Sequence, residues 1–145
     1  MLRRDYLLKL IQELFAAIAN LLEREGDEAE RQKEIEALYA TFGRDKDFFR
    51  QADPDEVIRC IATSAADAQG VSPDMLSAGE LLQRTELLAA LFYADFKVSN
   101  LSEGLRHDVA ERALSLYERV IDASDTFVQE RFDRVHELSL FLGRP

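Results

Sequence analysis

Residues 53–97 read DPDEVIRCIATSAADAQGVSPDMLSAGELLQRTELLAALFYADFK, and this stretch decides the fold class. Asp53-Pro54 puts a capping oxygen just before a residue that lacks the N–H a first helical position leaves unsatisfied anyway. From there Val57, Ile58, Ile61, Ala62 and Ala65 recur three and four residues apart, which predicts a helix to about Gln69 with Gly70 closing it. Ser72-Pro73 repeats the start signal. After a short turn, Leu81, Leu82, Leu87, Leu88, Leu91, Phe92 and Phe96 form the apolar stripe of a longer helix over about Ala78–Lys97.

The same period extends in both directions. Upstream, Leu7, Leu10, Ile11, Leu14, Ile18, Leu21 and Leu22 predict a helix over about Arg3–Glu25, broken by Gly26-Asp27. A more polar helix over about Glu28–Phe42 carries Ile35, Leu38, Tyr39 and Phe42, and Gly43 ends it. Residues 44–53 read as a connector whose Phe48-Phe49 plugs the core, because large adjacent rings are seldom left in water. Downstream, helices are expected over about Ser102–Ile121 and Ser124–Leu142. No window of four to eight residues alternates as a strand does. The expectation is a single all-α domain over residues 1–145, built as stacked antiparallel hairpins of about six helices, since short loops force neighbouring helices to run antiparallel.

Composition supports this reading. The 145 residues are 47% apolar and 32% charged, with 6 Gly, 3 Pro and no Trp, so helix breakers are scarce. A chain of this length buries roughly two-thirds of its unfolded surface and needs no staple. The net charge of −10 and the absence of any Lys/Arg cluster argue against nucleic acid and anionic membranes as partners. One cysteine, Cys60, excludes an internal disulfide and suits a reducing compartment, so a cytoplasmic location is expected. Asp5, Lys9, Gln12 and Glu13 interrupt the first apolar stretch at helical spacing, so it reads as an amphipathic helix and not as a signal peptide. Asn100-Leu101-Ser102 has the form of a glycosylation sequon and is read as chance.

Residues with chemical potential are few. Asp133, His136 and Glu137, with Glu103, His107 and Asp108, faintly suggest a helix-bundle metal site, yet the Glu-x-x-His spacing is not met and Arg112 and Arg134 lie close by. Asp45, Asp47, Asp53 and Glu56 fall at calcium-loop spacings, but Phe49 takes a ligand place and Arg50 stands where the turn needs Gly. Cys60, set among Val57, Ile58, Ile61 and Ala62, reads as a small core hydrophobe. No catalytic residue, metal ligand or cofactor site is assigned. The acidic strip from Glu23 to Glu36 is either a solvated helix face or a selector of basic partners.

The first hairpin resembles a tetratricopeptide unit. Phe15, Ile18, Ala19 and Leu22 precede the Gly26-Asp27 turn, and Ile35 and Leu38 follow it; Arg31 and Leu38 depart from the pattern. Ala113, Tyr117 and Val120 match the second helix of such a unit, but Leu91-Phe92-Tyr93-Ala94 and the connector from Val98 to Gly104 do not fit, and no tandem period of about 34 residues appears. The opening Met1-Leu2-Arg3-Arg4-Asp5-Tyr6-Leu7, the Gly26-Asp27 hairpin, and Ala113-Leu114-Ser115-Leu116-Tyr117 leading to Ser124-Asp125-Thr126-Phe127 and Glu130-Arg131 resemble an uncharacterised bacterial helical family of unknown function. That resemblance implies a fold and no activity. The resulting expectation is a non-catalytic protein- or peptide-interaction module, with homo-oligomerisation open. The alternative is a small-molecule or catalytic site between helices. Ala19 is expected at a close crossing of the first two helices, where a small side chain lets them approach.

Overall fold

Five helix starts are made by the side chains the sequence places there. Asp27, Asp45, Asp53, Ser77 and Ser102 each accept a hydrogen bond from a backbone N–H in the first turn that follows, at 2.9–3.3 Å. The structure, a computed structural model, describes the backbone of residues 2–23 and 26–144 and the side chains of residues 8–23 and 26–144. Among these residues the chain is all-helical, with no strand. The helices are α1 (Leu2–Glu23), α2 (Glu28–Ala40), α3 (Lys46–Gln51), α4 (Pro54–Gln69), α5 (Ala78–Val98), α6 (Glu103–Ala123) and α7 (Gln129–Phe141). Met1, Arg24, Glu25 and Pro145 lie outside the description, as do the side chains up to Leu7.

There are seven helices, against the six or so expected. The additional one is α3, inside the stretch read as a connector. Six residues are too short for a periodic stripe; the helix rests instead on the Asp45 cap and on burying Phe49 and Arg50. Phe49 is fully buried and stacks on Tyr39 at 5.5 Å, while Phe48 is half-buried under the Arg44 guanidinium, 3.9 Å from its ring centre. α2 ends at Ala40, two residues early, and Gly43 (φ 91°) supplies the left-handed turn beyond it. Gly70 (φ 69°) closes α4 as its position suggested. The last helix begins at Gln129 and not at Ser124, because the Ser124 hydroxyl accepts from Thr126 N–H and holds residues 124–128 in a turn.

The centre of the molecule is α5. Every residue from Leu87 to Phe96 is buried, a run of roughly three turns that takes in every direction around a helix. α1, α2, α4 and α6 supply the covering. The bonds Gln32–Ser99 and Tyr39–Asp95 run α2 antiparallel to α5, whereas Glu86–Arg131 and Tyr93–Glu137 give α7 the direction of α5. One contiguous cluster of buried side chains draws on all seven helices.

The expectation for Ala19 is overturned. Ala19 is exposed; α1 lies along α5 and turns Ile11, Ile18 and Leu21 inward. Ile18 and Leu21 prefer the covered side of α1 because burying large apolar side chains gains more than burying a methyl group.

Candidate functional site

The residues singled out from the sequence are dispersed into separate structural tasks. His136 is exposed on α7, while its neighbour Glu137 accepts hydrogen bonds from Tyr93 Oη (2.6 Å) and Lys97 Nζ (2.5 Å). Asp133 accepts from Gln129 at 2.8 Å. His107 is exposed on α6, 4.0 Å from Asp108 and 3.9 Å from Glu111. Asp45 and Asp53 cap α3 and α4, and Asp47 and Glu56 are exposed. Among the described residues no group of three or more His, Cys, Asp or Glu is placed to hold a metal ion. The described part of the acidic strip is the outer face of α2, with Glu28 and Glu30 exposed and Ile35, Leu38 and Tyr39 turned inward.

Cys60 is half-buried and lines an open cleft of about 420 Å³ together with Phe48, Arg59 and Ser64. Its thiol donates to the Phe42 carbonyl at 3.2 Å. Burial pushes its pKa up against a smaller pull from Arg44, which keeps it a thiol and a poor nucleophile.

Sequence reasoning missed the most developed polar cluster. Asp95, fully buried on α5, accepts from Arg50 Nε (2.8 Å), Arg50 Nη2 (2.7 Å), Tyr39 Oη (2.8 Å) and Ser99 Oγ (2.5 Å). Ser99 Oγ in turn accepts from Gln32 at 2.7 Å. Burial alone would lower the Arg50 pKa, but the hydrogen bond and charge of Asp95 outweigh it and raise it. The Tyr39 phenol is held well above its ordinary range by burial and by the Asp95 carboxylate. The signal was present: an Asp inside the apolar run Leu91–Phe96 needs a buried cation, and Arg50 follows two buried-type rings. What was missing is their pairing, since the two are 45 residues apart. The carboxylate has all its acceptor positions filled by the protein and joins α2, α3 and α5; the cluster therefore acts as a structural tie.

A second polar seam fixes α7. Arg131 donates to both oxygens of Glu86 (2.6 and 2.8 Å), and Arg134 donates to Tyr117 Oη at 2.7 Å while lying 4.6 Å from the Tyr93 ring centre. Burial, more than the opposing charge of Arg134, pushes the Tyr117 pKa up to about 12, and burial together with Glu137 raises that of Tyr93.

One accessible groove has an apolar floor. Of about 600 Å³, it runs between α4, α5 and α6, floored by Ile58, Leu81, Leu82 and Ala123. Of its polar lining, Thr85 Oγ1 donates to the Leu81 carbonyl at 2.8 Å, Arg119 faces Asp55 at 3.8 Å, and Asp122 is exposed. An open trough with an apolar floor suits docking. No described helix is long and apolar enough to cross a membrane. No family model, curated protein or solved structure matches this chain.

Proposed function

We propose that the chain is a non-catalytic interaction module that receives a peptide or partner helix in the groove between α4, α5 and α6. The observation that carries this reading is the groove itself: open, apolar along its floor, with Arg119 and Asp122 at its border. Helical hairpins recognise partners in this way, with apolar anchors on the guest and a preformed trough on the host. A tetratricopeptide-like first hairpin and a cytoplasmic setting belong to the same proposal, motivated by the Gly26-Asp27 turn between Leu22 and Ile35 and by the lone Cys60.

Leu82→Glu tests it. Leu82 lines the groove and is only half-buried, so a carboxylate there disturbs the docking floor more than the core. In affinity capture from native lysate, the wild-type chain is expected to retain a partner that Leu82→Glu loses while its helical circular dichroism is unchanged. Identical partner sets for the two proteins would remove the groove as the docking site.

A further inference from the structure

Among the described residues, four of the six large apolar side chains left exposed lie between residues 127 and 141. Phe127 is 68% exposed, Leu140 63%, and Phe132 and Phe141 41% each. Phe141 is engaged inward, edge-on to Phe96 at 4.9 Å. The other three belong together. Phe127 stacks on Phe132 at 5.1 Å, and Phe132, His136 and Leu140 follow one another at four-residue intervals on α7. That spacing keeps them on one face over about 12 Å of helix, opposite the fully buried Leu138. α7 thus keeps two large apolar side chains, Phe132 and Leu140, on its uncovered face, with the exposed His136 between them.

Around the uncovered face, Arg131 and Arg134 are largely covered where they meet Glu86 and Tyr117, while Lys97 is exposed in its pair with Glu137. Asp125 and Asp133 are exposed, and among the described residues neither has a cationic partner. Exposed Phe127, Phe132 and Leu140 beside the unpaired acids Asp125 and Asp133 fit a guest that is apolar on one side and cationic along its edges. A second copy of this chain is a poor occupant, because it would set the same acidic border against itself and bring together two molecules of net charge −10.

We infer that the outward face of α7, together with Phe127, is a docking surface for a cationic amphipathic helix of a partner protein. This surface is independent of the groove between α4, α5 and α6. The three side chains are a small part of the ~800 Å² that each partner buries in a standard interface, so the complex is a transient, micromolar one.

The test uses the whole chain, isotope-labelled, titrated with a Leu/Lys helical peptide of about 18 residues, long enough to fold on contact. A scrambled peptide of equal composition and a Leu/Glu peptide of the same pattern serve as controls. Amide shifts are expected over residues 125–141, with affinity roughly tenfold above the scrambled peptide and no response to the Leu/Glu peptide. Phe132→Ser with Leu140→Ser should lower affinity by roughly tenfold or more with helicity kept, and Leu82→Glu should leave it unchanged. Phe127→Ser, in the connector, carries the same expectation should the double variant lose helicity. Shifts mapping to the groove or to residues 27–36, equal binding of the scrambled peptide, or insensitivity to all three substitutions would overturn the inference. A dimer in light scattering that Phe132→Ser dissociates would overturn it too, by assigning the face to a second copy.

Discussion

At Asp95 four donors converge on one carboxylate from which water is excluded. Such a group stabilises only while its cation is present, because an unpaired buried charge keeps the full desolvation cost. Asp95→Asn leaves the Arg50 guanidinium buried without its counter-charge and is expected to cost about 3–5 kcal/mol in denaturant unfolding. Arg50→Met combined with Asp95→Leu removes both charges and should cost far less than the sum of the single changes, a non-additivity that a double-mutant cycle reads directly. The tyrosines give a pH signature. Tyr39, Tyr93 and Tyr117 all hold their protons more tightly in the folded chain, chiefly through burial. Above the ordinary phenol pKa of about 10 the unfolded chain binds fewer protons than the folded one, so stability falls as pH rises. The Tyr117 share is present below pH 10 and is lost as pH climbs through about 12. Tyrosinate absorbance should therefore appear late and together with loss of helicity. An ordinary phenol titration in a fully helical chain would show that these hydroxyls are not held as described.

Among the elements, α1 and α3 depart most from what their sequences suggest. α1 has small residues on more than one side, and only its packing partner decides which of them meet another helix. Because Ala19 faces water, Ala19→Leu should change thermal stability by no more than about 0.5 kcal/mol. Ile18→Ala, one residue away and buried, should cost about 2–5 kcal/mol. A large loss in Ala19→Leu would restore the close crossing of α1 and α2 that the tetratricopeptide resemblance implies. α3 is too short to persist alone, since isolated helices below roughly 12 residues are marginal in water. It exists because Phe49 and Arg50 are both claimed by the core, one by Tyr39 and Phe92 and the other by Asp95.

For the molecule as a whole, a central helix covered by four others ties most of the packing to α5. Loss of α5 uncovers the inner faces of its neighbours together, so unfolding should be all-or-none. Circular dichroism is expected to show one thermal transition, and Leu88→Ala, at a fully buried position, should move it down as a unit at a cost of about 2–5 kcal/mol. Two transitions, with only one displaced by Leu88→Ala, would divide the chain into separately folding parts. The surface follows a different rule: the net charge is −10, and exposed apolar side chains stand at Leu8, at Met75 and along residues 127–141.

The sequence by itself determined six of the seven described α-helices and several of their ends. Asp53, Ser77 and Ser102 start helices, and Gly70 stops one, through hydrogen bonds that span four residues or fewer. The inward stripes of α4 and α5 were legible for the same reason, since periodicity is written in neighbouring residues. Only the tertiary structure decided what each face meets. Asp95 reads as a flaw in an apolar run until Arg50, 45 residues earlier, is brought against it. Ala19 and Phe132 differ in size in the direction opposite to their burial needs, yet both are exposed, because exposure depends on whether another helix lies over that face. Hydrogen bonds within a turn are fixed by local chain geometry. Burial, desolvation and charge pairing are fixed by contacts between residues far apart in sequence, and in this protein those contacts converge on α5.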